Sequence, residues 1–572
     1  MAHLETKESR EQHNLDLEKL ASKQVTSVFN PGEYGLVEDH DMSDDEARLV
    51  ALGYKQEFRR EFSVWTSFGV SFSVLGLLPS IATTLWYGLG YSGTAGMTWG
   101  WIVAMCGIQC VAQSMAELAS SMPTSGGLYY AAAVLAPDGW GPLCSWITGW
   151  SNWIGQVTGA PSVDFGCAQM ILAAASILHP DYVPQTWHTF LLTVGLLIVH
   201  GAISSMPTKY IAHFNSVSTW LNMSILVIVV ILIPAATTNR NPRFNSNADV
   251  WGTITNGTEW PNGIAVLMSF ISVIWTMSGY DAPFHLSEEC SNAAIASPRA
   301  IVLTAEVGGV LGFILNLVIS YTVVDIDAVL TSDLGQPFVA YCLQVLAVEG
   351  ALAVTALTIV CSFMMGQGCM VAASRVTYAY ARDGVFPLSD RIWSKVNKTT
   401  QTPVNAVWMN TVIGILLMLL IFAGPLAIGA IFSIGAIGAY VAFTLPVTLR
   451  TFVVGNRFRP GPWHLGRFSY ASGVIATSFT LLMMPILCFP TVTGPDLNAQ
   501  SMNYTCLVWG GPMFLAMIWW VVDAHKWFKG PRVNVEHKML QKASDLVPTG
   551  TRVSEVGDGS DSNGHTVVPV KA

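Results

Sequence analysis

Apolar runs of about twenty residues recur along most of this chain, and that recurrence limits what it can become. About 20 helical residues cross a hydrocarbon core of about 30 Å. Only helices and closed barrels satisfy every backbone group at that depth. Twelve runs are read, at 63–89, 97–119, 141–176, 188–205, 212–235, 262–286, 300–324, 347–380, 405–424, 427–449, 471–489 and 505–528. Little beyond Gly424 and Pro425 separates the ninth from the tenth, so a count of eleven stays open. Hydrophobic residues make up 52% of the chain and charged residues 11%, against about 25% charged in a soluble domain. The expectation is an all-α polytopic membrane protein.

Basic residues orient it. With residues 1–61 in the cytosol, Arg240 and Arg243 are the Lys or Arg residues of the outside loops. The inside loops hold Lys209, Arg299, Arg375, Arg382, Arg391, Lys395, Lys398, Arg450, Arg457, Arg459 and Arg467. That asymmetry places both termini in the cytosol. No cleavable signal peptide precedes the first run, which must itself direct insertion. The sequons at Asn256 and Asn503 fall in outside loops and are glycosylation acceptors by pattern, whereas the one at Asn397 lies inside. The ten cysteines form no metal-like cluster and read as small apolar packing residues, with a Cys488–Cys506 disulfide as the alternative for that pair.

Residues 1–48 carry an acidic run at Glu38, Asp39, Asp41, Asp44, Asp45 and Glu46, and residues 545–572 are rich in Ser, Gly, Asp and Val. Both stretches read as disordered. They serve either as sites for ubiquitin-dependent trafficking machinery, with Lys7, Lys19 and Lys23 as acceptors, or as plain solvated tails. Arg59, Arg60 and Glu61 lead into the first run as an interfacial anchor would. The net charge of −9 comes largely from these tails, and no basic patch with interleaved aromatics points to nucleic acid.

Two runs are interrupted. The first reads SFGVSFSVLGLLPSIATTL from Ser67, and the sixth passes through Ser278, Gly279, Tyr280, Asp281, Ala282 and Pro283. A broken helix is tolerated in a membrane only where it lines a cavity or is buried in protein. Two such breaks five helices apart point to two five-helix repeats of opposite topology. A second half-helix beginning near residues 72–75 turns free N–H groups and a positive dipole end toward a carboxylate. Carbonyls freed near residues 275–278, with Asp281 beside them, suit an ammonium. Together they select a zwitterion. The other readings are helix packing for Ser71 and Ser73, a structural partner for Asp281, and packing for Trp275 in place of a lid or cation–π support.

His285, Glu288 and Glu289 follow at helical spacing. His285 titrates near neutral pH and suits a proton relay, while the glutamates suit an inner gate closed by loop arginines. Asp164, in GAPSVDFG, is a candidate for amine binding or proton coupling. Glu117 and Glu306 read as structural or gating, and His200 takes no role. There is no GxxxxGK[ST] motif, metal-ligand pattern or nucleophile elbow, so neither ATP-driven transport nor an enzyme is expected, and no cofactor.

The stretches MAELASSMPTSGGLYYAAAVLAP (115–137), ITGWSNWIGQVTGAPSVD (147–164), WTMSGYDAPFHLSEECSNA (275–293) and MVAASRVTYAYARDGVFP (370–387) resemble fungal permeases of the amino acid/polyamine/organocation superfamily. The likeness is greatest to fungal GABA permeases and covers about residues 50–530. It implies a LeuT-type fold: a ten-helix core (62–450) with broken helices 1 and 6, two peripheral helices (451–528), and cytosolic tails at 1–61 and 529–572, mostly disordered. It also implies proton-coupled uptake of a small zwitterion or amine, across the plasma or vacuolar membrane. The carboxylate would lie at Ser71, Phe72, Ser73 and Val74, and the amine at Trp275, Ser278 and Gly279, with Asp281 matching a family acid. Related permeases carry choline, polyamines or biotin precursors, so the motifs specify the superfamily more than the substrate. Some bacterial relatives hold a cation-site lysine in the fifth helix. Here that position is Asn222, which cannot cycle a proton, leaving His285, Asp281 and Asp164 as carriers.

Overall fold

The structure, a computed structural model, describes residues 43–532 apart from 57, 59, 238–242 and 499–500. Arg59, Arg240, the acids at 38–41, the three tail lysines and the 545–572 stretch lie outside the described residues. Among those described, the fold is helical, and β-structure is confined to one isolated bridge between Phe62 and Cys290.

A short helix, α1 (Asp44–Ala51), precedes the membrane passes. The first pass is split into α2 (Val64–Leu75) and α3 (Leu77–Ala95) by Gly76, which sits at φ 43°, ψ 61°. A Cβ at Gly76 would lie 2.6 Å from Met365 Sδ, so both the backbone conformation and the space call for glycine. The second pass, α4 (Trp101–Ser121), is nearly continuous with the first. The apolar stretch Val64–Ser121 runs for 58 residues, roughly 87 Å as straight helix, or about three bilayer cores. Its backbone leaves helical geometry at Gly93, at φ 64°, ψ −157°, and the stretch is read as two passes.

The chain continues through the short α5 (Gly127–Leu135), α6 (Gly141–Leu178), α7 (Thr186–Ser204) and α8 (Thr208–Ala236). The sixth pass is α9 (Asn262–Thr276), a non-helical turn, and α10 (Ala282–His285). Then come α11 (Ala293–Thr322), the short α12 (Pro337–Val345), α13 (Val348–Arg382), α14 (Val404–Met418), α15 (Pro425–Thr448), α16 (Ser469–Ile486) and α17 (Thr505–Trp519). Gly424, at φ 118°, separates α14 from α15, which resolves the open count in favour of two passes. Among the described residues, ten stretches are long and apolar enough to cross a membrane, and Asn262–Thr276 is a shorter apolar helix. With Val64–Ser121 read as two passes, the twelve expected crossings are accounted for.

α6 is the central helix, packed along both α13 and α15, while α3 runs against α9 and α2 against α8, α11 and α13. The two broken passes therefore lie together, surrounded by the long helices. The fold corrects one part of the reading of residues 1–48 as disordered, the part from residue 44 on. Asp44–Ala51 is helical, with the Ser43 hydroxyl accepting from Glu46 N. Residues 43–62 lie across the end of the molecule where both described termini sit. The Asp45 carboxylate accepts from the N–H groups of Asn292 (2.5 Å) and Ala293 (3.1 Å), capping α11. Arg60 donates to Cys290 O at 2.6 Å, and Phe62 pairs by backbone with residues 289–291. Arg375 and Arg382, counted above as loop residues, lie on the last turns of α13, and Arg299 lies near the start of α11. All ten cysteines are free, including Cys488 and Cys506, which removes the disulfide alternative.

Candidate substrate site

The site is built where the two breaks meet. The first helix breaks at Gly76, later than residues 72–75. Ser71, Phe72, Ser73 and Val74 therefore occupy the last turns of α2, with helical backbone, and it is Leu77 and Leu78 that open the second half-helix. The free N–H groups and positive dipole end belong to that point, because the first residues of a helix have no intrahelical acceptor and Pro79 has no N–H. Ser80, in the first turn of α3, donates its hydroxyl to Leu75 O at 2.7 Å and satisfies one of the carbonyls left at the end of α2.

The break in the sixth pass presses against this end. A Cβ on Gly279 would lie 2.7 Å from Val74 Cγ1, and Gly279 O accepts from the Ser71 hydroxyl at 2.9 Å. Ser278 turns its hydroxyl back to Ile274 O (2.6 Å), so serines satisfy carbonyls on both sides of the turn. Ser73 faces away, with its hydroxyl 2.6 Å from Ser218 Oγ and 3.4 Å from Met364 O. Asn222 bonds Ser218 as well, so the position matching the family lysine reaches the first break through one hydroxyl. Phe72 packs against Phe68, and Trp275 meets Phe432 edge-on at 5.2 Å with Gly435 beneath it. Of the sequence-derived set, Ser71, Val74, Ser278 and Gly279 thus converge, while Ser73, Phe72 and Trp275 tie the two broken passes to their surroundings.

Asp281 is buried and held from α6. Gln156 Nε2 donates to its Oδ2 at 2.7 Å, and His285 Nε2 lies 3.2 Å from the same oxygen. Asn152, one turn before Gln156, approaches His285 Nε2 at 3.4 Å. Asn152, Gln156 and Asp164 are spaced by four and eight residues on α6, which puts them toward one side of the helix. That stripe is visible in the sequence but was not singled out there. Asp164 itself does not join Asp281; it pairs with His200 at 3.1 Å, the residue that the sequence left without a role.

The glutamates close the end that carries the termini, and their partners are helical. Arg382 grips Glu288 with two N–H groups (2.9 and 3.0 Å), while Thr124 Oγ1 and Ser125 N donate to the same carboxylate. Arg375 grips Glu289 at 2.8 and 3.4 Å. Such forked arginine pairs are the strong, geometrically specific form of this contact. Next to Arg382, Asp383 accepts from Tyr129 Oη (2.6 Å), from Tyr54 Oη (3.3 Å) and from the backbone N–H of Arg532 (3.0 Å). Burial pushes the Asp383 carboxyl above its ordinary range, against the pull of Arg382 and these donors. Glu117 pairs with Arg450 and accepts from the Ser469 hydroxyl, while Glu306 is exposed on α11.

Asn256 and Asn503 each turn the side-chain nitrogen into two internal acceptors: Trp260 O and Asn262 Oδ1 for the first, Leu487 O and Phe489 O for the second. A sugar on that nitrogen displaces one of these bonds. We expect the mature protein to show no mobility change on endoglycosidase treatment; a shift would show that the loops are modified before they close.

Two interrupted helices thus meet beside a buried acid, with ion pairs at one end, in a fold built of membrane-length apolar helices. A family model described as amino acid permease matches residues 62–512. The chain is 60% identical over 496 residues to an uncharacterized amino-acid permease of Schizosaccharomyces pombe, covering 86% of this chain and 91% of the relative. It is 46% identical over 542 residues (94% and 97% covered) to a Candida albicans protein provisionally named a polyamine transporter. To the GABA-specific permease of Saccharomyces cerevisiae it is 32% identical over 533 residues (92% and 93% covered). The chain belongs to the amino acid permease family, and it is a multi-pass membrane transporter rather than an enzyme.

Proposed function

We propose that this permease carries a small zwitterionic amine, 4-aminobutyrate first among candidates, by proton symport. The carrying observation is that the two breaks meet at Gly279, Ser71 and Val74, one break carrying the buried carboxylate of Asp281 and the other leading into the N-terminus of α3. An acid opposite a helix N-terminus matches an ammonium opposite a carboxylate. The amine meets Asp281, steadied by Gln156, and the carboxylate meets the N–H groups at residues 77–78. Glu288 and Glu289 serve as the gate, and the end they close faces the cytosol of a plasma-membrane or vacuolar carrier. Lipid and protons are its other partners.

A polyamine is the second reading, favoured by the name of the Candida albicans relative. A dication has no use for the α3 terminus and calls for a second acid near the first. Labelled uptake in yeast lacking its own GABA and polyamine carriers separates the two. Saturable GABA entry, faster at acidic external pH and unmoved by excess putrescine or choline, is the expected result. Putrescine uptake without GABA uptake would overturn the substrate and keep the family.

The pocket wall gives a further expectation. Ser73→Phe forces a ring into the 2.6 Å contact with Ser218, and overpacking of this kind costs about 1–3 kcal/mol. Uptake by this variant should fall several-fold with a weaker apparent affinity. An unchanged affinity would show that the Ser73–Ser218 contact plays no part in shaping the site.

A further inference from the structure

The proton need not be carried by the acid that holds the amine. Asp164 on α6 and His200 on α7 form a second acid–imidazole pair, Oδ2 to Nδ1 at 3.1 Å, with both side chains at 0% exposure. Among the described residues, Asp164 Oδ1 and His200 Nε2 have no hydrogen-bond partner. A pair whose only task was to tie two helices would ordinarily have these positions filled, because an unsatisfied buried polar atom is costly. α7 packs against α6, α13 and α14. The ionisable group that touches Asp164 is His200. Cys167, one turn along α6, and Cys369 of α13 are the other titratable groups there, with Asp281 also in electrostatic reach of Cys369. α14 contains no titratable residue. With the imidazole neutral, the pair carries one buried negative charge. One added proton converts it to a carboxylate–imidazolium pair with no net charge, which is the cheaper state in an apolar interior.

The pair is also placed to be felt at the breaks. A Cβ on Gly366 of α13 would lie 2.5 Å from Asp164 Oδ1 and 2.7 Å from His200 Cε1. Two residues on, a Cβ on Gly368 would lie 3.1 Å from Val74 Cγ2 and 3.5 Å from Ser73 Oγ. Met364 O accepts from Ser73, and Met365 fills the space over Gly76. Less than two turns of α13, residues 364–369, thus separate the pair from the broken end of α2.

We propose that Asp164 and His200 together bind the coupling proton, and that residues 364–369 transmit its arrival and departure to the first break. This rests on the reading of the chain as a proton-driven amine carrier, and it divides the labour: Asp281 for the amine, Asp164–His200 for the proton.

The test uses the full chain in liposomes, as wild type, Asp164→Asn and His200→Gln. Two transport modes are measured: exchange of labelled GABA for internal GABA at equal pH, and accumulation driven by an acidic exterior, with an internal pH dye. Wild type should exchange, accumulate and acidify the lumen. Both variants should lose accumulation and GABA-dependent acidification at least tenfold while exchange persists. Accumulation by Asp164→Asn at the wild-type level would overturn the proposal. A substrate-free readout guards against poorly folded variants. The unfolding temperature of wild type should shift between pH 5 and 8, and His200→Gln should lose most of that shift; equal shifts would also overturn it. The substrate reading fails separately, if wild type exchanges neither GABA nor putrescine.

Discussion

Asp281→Asn should abolish concentrative uptake while the protein still reaches its membrane. The substitution keeps the shape and leaves Gln156 and His285 with a polar neighbour, but it removes the charge facing the amine. Loss of one partner from a buried charge pair costs about 2–5 kcal/mol, and every 1.4 kcal/mol is roughly tenfold, so uptake should fall by between about 30-fold and more than 1,000-fold. Initial rates normalised to surface protein give the measurement. Near-normal uptake by Asp281→Asn would remove the residue from binding and reduce the Gln156 and His285 contacts to packing. Gln156→Ala is the milder companion, because it withdraws a single donor from that carboxylate.

The second large effect lies at the gate. Arg382→Ala leaves Glu288 buried with only Thr124 and Ser125 as donors. Removing one member of a buried ion pair costs about 3–5 kcal/mol, whereas replacing both with apolar residues of similar volume is often close to neutral. Arg382→Ala should therefore unfold at a markedly lower temperature in detergent than Arg382→Met/Glu288→Met, which should approach wild type. The double variant has lost the electrostatic seal, and a cysteine placed at Ser125 should react faster with a cytosolic thiol reagent in it than in wild type. Equal thermal stability of the single and double variants would show that the pair carries no such role. Rapid labelling of neither would show that the seal lies elsewhere.

The sequence exposes these features unequally. Twelve passes were legible because a bilayer imposes length and apolarity on each one independently of its neighbours. Asp281 stood out because an acid inside an apolar run conflicts with its local surroundings. Partners were not legible. Nothing local to Glu288 names Arg382, and nothing local to Asp164 names His200, since those contacts join residues 94 and 36 positions apart. The break was placed a turn early because Ser71 and Ser73 resemble unwound chain in composition, although each sits in intact helix. Two local signals went unused. The polar stripe of Asn152, Gln156 and Asp164 has helical spacing, and Ser43-Asp-Asp-Glu46 fits the pattern of a helix start. The second would have separated Asp44–Ala51 from an acidic tail.

Asp383 gives the two ends of the chain a shared mooring. The N-terminal segment holds it through Tyr54 and the C-terminal segment through the N–H of Arg532, and Arg382, its neighbour along the backbone, locks the gate. A pull on either end of the described chain is delivered to this one carboxylate. A movement of this end of α13 would strain both moorings together, so the two ends are coupled through a single side chain beside the Glu288–Arg382 pair.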